Sequence, residues 1–304
     1  MTVETVLGPR ALGSLRVVDA HAHLWISGSP PGSPRLTDEQ LALGELRSLR
    51  AAGGDALIDC QPPGCGRDAR VLRRLMSGSG VTVVAVTGFH LRRHYREPGG
   101  VWADPDGAVE LFRHELSVGL EEAPHARAGA VKCAWTGEPG VERELLGAAV
   151  EAARSEGAPL IVHTERGHAA EELAELVTAA GLPSGRVQLS HMDKRRDLGL
   201  HLELARAGFV LGYDTFLHSR HDPERGVWPL LHGVLEAGLW GQVTLGTDVV
   251  EVADWCTAGG QGLRALPLEV AGRLRREGVD GRALAALAGG NAARLLGTAS
   301  RVPT

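Results

Sequence analysis

The sequence predicts an α/β protein, a closed (β/α)8 barrel carrying a helical appendage at its C-terminus. Three observations lead there. Eight short β-branched runs alternate with eight longer segments of helical period, Gly or Pro stops the helices before the strands, and no linker, repeat or low-complexity tract divides the 304 residues. Such alternation makes parallel strands joined by crossover helices, and eight units close into a ring without open edges. An open doubly wound sheet is the structural runner-up. The length suits one TIM barrel domain over 1–304, since barrels of ~250 residues commonly carry decoration.

The strands are expected at Arg16–Ala20, Ala56–Asp59, Val81–Thr87, Gly129–Lys132, Leu160–His163, Val187–Ser190, Phe209–Gly212 and Val243–Gly246. Between them the helices fall at Asp38–Ala51, Arg67–Ser77, Gly107–Glu122, Val141–Glu156, Ala169–Ala180, Arg195–Ala207, Glu224–Glu236 and Leu263–Glu277. In Val141–Glu156, apolar Leu145, Ala148, Ala149 and Ala152 recur at the three- and four-residue steps of one helix face. Gly53-Gly54, Gly157, Gly181, Pro183, Gly208 and Gly241 supply the stops. A last helix, Gly281 to Leu296, forms the appendage, and the Ser/Gly/Pro stretch at 27–34 is expected as a rim loop.

Composition narrows the functional classes. Hydrophobic residues at 43% and charged residues at 23% describe a soluble globular protein, and aromatics at 4% leave the core to Leu, Val and Ala. A net charge of −5 with interspersed signs argues against nucleic-acid binding and against a polybasic membrane anchor. No apolar run approaches the ~20 residues of a membrane span, and MTVETVLGPR lacks the basic start and apolar core of a signal peptide. A cytoplasmic protein is expected, with a small-molecule substrate as partner and a homodimer left open. The Cys60–Cys65 loop, with no second cysteine pair nearby, reads as neither disulfide nor metal site.

His21-Ala-His23 follows the first strand, and residues two apart in extended chain project to the same side, where both imidazoles can reach one ion. Alone the pair is a weak signal. Lys132 ends the fourth strand, His163 the fifth and His191 follows the sixth, while Asp248 lies just past the eighth. In a barrel these strand ends gather around one mouth, where active sites sit. Singly, a buried histidine or a helix-capping aspartate explains each; jointly, a metal site explains them better.

These residues resemble those of the phosphotriesterase family of the amidohydrolase superfamily. The resemblance runs through Gly66-Arg67-Asp68, Thr87-Gly88-Phe89, Arg127-Ala128-Gly129, His163-Thr164-Glu165, Ser190-His191-Met192-Asp193, Gly212-Tyr213-Asp214 and the Asn291–Arg294 segment, covering roughly residues 4–297. It implies a pair of divalent metals, zinc first with manganese or cobalt as alternatives, held by His21, His23, Lys132, His163, His191 and Asp248. His21, His23 and Asp248 would bind the more buried ion, and His163 and His191 the more exposed one. Lys132, carboxylated by carbon dioxide, and a hydroxide would be shared, and Asp248 would take the proton as the hydroxide attacks. A carbamate needs an amine that can lose its proton, which arginine does not do. Only two of the 32 basic residues are lysines, Lys132 and Lys194, so a lysine at the fourth strand end is a specific choice.

Weaker candidates surround this set. Tyr95 matches a loop tyrosine that in relatives reaches the substrate carbonyl. Asp214 would relay protons or cap a turn, His218 and Arg225 lie in the loop after strand seven, and Trp25, Trp135 and Trp255 are placed to wall an apolar pocket. The chain departs from the family's usual pattern in its His-Ala-His motif, its short loop after strand seven and its Gly-Thr-Asp at strand eight. These changes keep every ligand and alter the mouth. The expected activity is hydrolysis of a lactone or carboxyl ester, with a phosphoester or phosphonate ester as runner-up. A mononuclear decarboxylase has no use for Lys132, and a non-catalytic metal-binding barrel has none for Asp248.

Overall fold

The computed structural model describes residues 1–28, 30–96 and 99–297. Ser29 of the expected rim loop and 298–304 of the expected domain lie outside them. Eight strands, β1 (Val18–Ala22), β2 (Ala56–Asp59), β3 (Thr82–Gly88), β4 (Ala130–Trp135), β5 (Leu160–Thr164), β6 (Val187–Ser190), β7 (Val210–Tyr213) and β8 (Val243–Leu245), pair in parallel with their sequence neighbours. The ring is brought together between its ends by the Thr247 and Asp248 N–H groups, which donate to His21 O at 3.2 and 2.9 Å. The Thr247 hydroxyl adds a 2.7 Å bond to the Asp19 carboxylate.

Around the strands lie α1 (Glu39–Ala51), α2 (Ala69–Ser79), α3 (Ala108–Ser117), α4 (Val141–Glu156), α5 (Ala170–Ala179), α6 (Leu198–Arg206), α7 (Val227–Glu236) and α8 (Ala271–Arg276). Asp38, Asp68 and Asp197 cap α1, α2 and α6 by accepting first-turn N–H groups that would otherwise lack partners. The appendage, α9 (Gly281–Ala285) and α10 (Asn291–Leu296), closes the N-terminal end of the barrel. There Asn291 donates to Trp240 O and Val243 O at 2.8 and 2.7 Å. Gly289 lies so close to β1 that a Cβ would come within 2.5 Å of Arg16 O. Among the described residues no helix is long and apolar enough to cross a membrane.

Several boundaries differ from the sequence expectation, each for a local reason. β1 starts at Val18 because the Asp55 carboxylate takes the Arg16 and Val17 N–H groups at 3.1 and 3.2 Å. At its other end β1 runs on to Ala22, past the expected Ala20, so His21 is a strand residue. α3 stops at Ser117, well before Glu122, whose carboxylate is drawn to Arg67 at 2.6 Å. The eighth helix opens with a π-helical turn, Leu266–Val270, around Pro267, which cannot donate into a regular α ladder.

The barrel interior is layered. Val18, Ala20, Ala56, Ile58, Val84, Val86, Ala130 and Ile161 form an apolar plug at the N-terminal half. Above it sit buried polar groups that satisfy one another: Gln188 donates to Ala20 O at 3.3 Å and accepts from Thr244 Oγ1 at 3.0 Å. The plug thus supports a polar upper layer at the strand ends, where chemistry is done in barrels.

Candidate metal centre and active-site cavity

Five strands deliver the six expected ligands to the C-terminal mouth: β1 carries His21 and leads to His23, β4 carries Lys132, β5 carries His163, His191 follows β6 and Asp248 follows β8. His191 and Asp248 both hold left-handed backbone, at φ 64° and 46°, a conformation that costs a non-glycine residue energy and recurs at functional sites. Gly88 at the end of β3 also serves the site. Its φ of +108° and missing Cβ let the chain close onto β4, where Phe89 N–H donates to Lys132 O at 2.8 Å.

The side chains meet in two groups. His21 Nε2 and His23 Nε2 face the same oxygen, Asp248 Oδ1, at 3.8 and 3.9 Å. These distances are too long for hydrogen bonds. They suit donors around one ion, since bonds of about 2.0–2.2 Å place neighbouring ligand atoms roughly 3–4 Å apart. In the second group His163 Nδ1 and His191 Nε2 share a hydrogen bond of 2.9 Å, so an ion bound there would take the place of the shared proton. His191 Nδ1 is bonded to Asp214 Oδ1 at 2.8 Å, which assigns the ring proton there and leaves Nε2 as a lone pair. His21, His191 and Asp248 bring ligand atoms within 4.8 Å of one another and so link the groups. Lys132 is fully buried at this level, its Nζ donating to Cys60 O at 3.2 Å.

The electrostatics keep the donors in ligand-competent form. Burial pushes the pKa of His21 and His191 well below the ordinary value and that of His23 down to about 3, so the imidazoles are neutral and offer lone pairs. Burial opposes the charge on Asp248, but its charged neighbours, Lys194 foremost, outweigh it and hold the carboxyl below its usual range. Lys194 Nζ stands 3.4 Å from Asp248 Oδ2. Its own pKa is raised despite burial, because Asp248, Asp214 and Asp193 favour the ammonium.

An open cavity of about 580 Å³ lies over the two groups, walled by His21, His23, His163, His191 and Asp248 together with Gln61, Cys65, His90, His94, Ile26 and Val250. Most of the weaker candidates stand elsewhere. Tyr95 is buried, its hydroxyl accepting the His90 N–H at 3.0 Å. Trp135 and Trp255 are core residues, and Trp135 Nε1 donates to Ala169 O at 3.1 Å. Trp25 is half-buried and packs against the apolar core. Arg225 is exposed on the outer loop, 3.9 Å from Asp222. His218 is buried with Nε2 on Thr247 O at 3.0 Å, behind Asp248, and Asp214 supports His191 from below. All four cysteines are free. Sequence reasoning passed over His90, His94, Gln61 and Lys194. The first two follow the Thr87-Gly88-Phe89 motif closely, and the rarity of lysine already marked Lys194.

Comparison with known proteins places the chain in a family. The sequence model of the phosphotriesterase family matches residues 1–296. A phospho-furanose lactonase of Mycoplasmopsis agalactiae is 31% identical over 215 residues, a match spanning 64% of this chain but only 61% of that protein. A second, from Mycoplasmopsis synoviae, is 26% identical over 268 residues, spanning 80% and 75%. Among solved structures, the lactonase Lmo2620 of Listeria monocytogenes superposes with a TM-score of 0.89 at 20% identity, covering 98% of this chain and 99% of its own. The phosphotriesterase homology protein of Escherichia coli, complexed with phosphate in its active site, gives 0.86 at 22% identity, covering 93% and 99%. At such identities the superpositions speak for the barrel alone, whereas the family match extends over nearly the whole chain. The chain belongs to the phosphotriesterase family.

Proposed function

We propose that the protein is a binuclear metal-dependent hydrolase that opens a lactone or carboxyl ester. A lactone of a phosphorylated furanose, the substrate class named in its Mycoplasmopsis relatives, is the first to assay. The observation that carries this reading is the pair of donor groups at one mouth: His21 and His23 converging on Asp248 Oδ1, and His163 Nδ1 facing His191 Nε2. Divalent ions bound there would acidify a water to the point of attack at neutral pH and withdraw charge from the substrate carbonyl.

The chain's own residues do the rest. Asp248, kept ionised by the Lys194 ammonium beside it, is ready to accept the proton of the attacking water. Asp214 holds the His191 ring in one tautomer and orientation. Lys132, dry and an electrostatic neighbour of His21 and His191, would be the residue to carry a carbamate, which supplies the two hard oxygens that an amine lacks.

The test is elemental analysis of protein purified without chelator, followed by pH-indicator assays on sugar lactones, simple lactones, aryl esters and phosphotriesters. Two metal equivalents per chain and chelator-sensitive opening of a lactone or ester are expected. A reproducible single equivalent, or turnover confined to phosphotriesters, would refute the reading.

A further inference from the structure

Two histidines on the cavity wall, His90 and His94, belong to neither ligand group. His90 is held as firmly as a ligand. Its N–H donates to Tyr95 Oη at 3.0 Å, and its C=O accepts Trp102 Nε1 at 2.8 Å. Its ring Nδ1 accepts the Leu91 N–H at 2.8 Å. An accepting Nδ1 in a neutral imidazole leaves the proton on Nε2. The ring packs against His163 at 4.7 Å between centroids, tilted by 58°, and against His94 at 4.4 Å. A fixed N–H donor therefore stands at the cavity wall beside the second ligand group. Tyr95, the expected substrate contact, instead spends its hydroxyl on securing His90.

Ester opening creates a specific need for such a donor. The water oxygen bonds to the acyl carbon, and the bond from that carbon to the leaving oxygen breaks, its electron pair staying on the oxygen. The proton that Asp248 took from the water ends there. Before it arrives, charge develops on the leaving oxygen. Asp248 enters the cavity from the end of β8 and His90 from the end of β3, so the two groups approach the substrate from separate strands. A neutral imidazole suits the task, because it donates a hydrogen bond without giving up its proton.

We propose that His90 is a catalytic residue that donates from Nε2 to the leaving-group oxygen of the ester or lactone. The assignment rests on the hydrolase reading above, and the experiment separates the two. His90→Phe and His90→Gln are assayed on acetate esters and lactones whose leaving alcohols range from alkyl to p-nitrophenyl. Loss of one such donor lowers kcat/KM roughly 10²-fold where the leaving group needs help. That loss is expected for alkyl leaving groups and lactones, with only a few-fold loss for p-nitrophenyl acetate and unchanged metal content. His90→Gln, which keeps an N–H, should recover part of the activity. An equal loss across the series would overturn the role of His90 and leave the hydrolase reading standing. Failure of the metal-loaded wild type on every ester and lactone would overturn both. Nitrogen-15 NMR of the wild type gives an answer that does not depend on folding of the variants: a His90 ring protonated at Nδ1 alone refutes the proposal.

Discussion

Arg67, in the Gly66-Arg67-Asp68 motif, offers the sharpest test of how the scaffold holds this site. Its guanidinium is fully buried and uses its donors on Glu115 Oε2 and Oε1 at 2.9 and 2.5 Å, on both Glu122 oxygens at 2.6 and 2.8 Å, and on Val86 O at 2.7 Å. Glu115 is equally buried, and Glu122 in turn accepts the Ala69 N–H at the start of α2. Arg67→Met keeps the apolar stem and removes the charge, stranding two carboxylates, one of them with no access to water. Breaking a buried pair from one side costs about 3–5 kcal/mol. For a chain of 304 residues that lowers Tm by roughly 5–8 °C, taking an unfolding entropy of ~2.1 cal/mol/K per residue. Urea and thermal unfolding of metal-loaded protein would measure it. The Arg67→Met/Glu115→Leu double variant should recover much of the loss, because the carboxylate without water is gone. A single variant within ~1 kcal/mol of wild type would refute the reasoning, since the network would then contribute no more than an exposed pair.

The same network makes acid stability testable. The Glu122 pKa is lowered because Arg67 outweighs its burial, so its contribution is present above the unfolded-state value and is lost as pH falls through the folded one. Glu122→Gln should therefore flatten the acid limb of the stability profile below about pH 4.5 while lowering the plateau at neutral pH. Asp248→Asn keeps the shape and removes the proton acceptor, so kcat should drop at least ~10²-fold at saturating metal; a change of a few-fold would remove Asp248 from that role. Lys132→Ala should lose metal and activity together in elemental analysis and turnover assays, with partial rescue by short carboxylic acids. Lys132→Arg should do no better, because a fixed cation repels the ions.

The barrel was legible in the sequence because its signals are local. Strand runs, amphipathic periods and Gly/Pro stops each act over a few residues, and a ring of parallel units needs little else to specify it. The positions of the candidate ligands were legible for a related reason: barrel geometry converts the position "end of a strand" into "at the mouth", so His163 or Lys132 could be placed without knowing any side-chain contact. Local signals also misplace ends wherever a distant group competes for the backbone. Asp55 takes the first two N–H groups expected in β1, and Arg67 draws Glu122 out of α3. Neither is visible within a window of sequence.

What the sequence by itself determined is the chain's class, its ring of parallel strands and the residue types at the strand ends. Only the tertiary structure decided which loop residues face the cavity. Tyr95 and His90 lie five positions apart in one loop, and sequence reasoning favoured the tyrosine. In the fold the Tyr95 hydroxyl turns inward to the His90 N–H, and the His90 ring reaches the wall instead. Likewise Lys194 gains its place beside Asp248 across 54 residues of chain. The physical reason is the same in both cases. A strand imposes a repeat that fixes side-chain direction, whereas a loop has none, and its side chains point wherever partners from distant segments satisfy them.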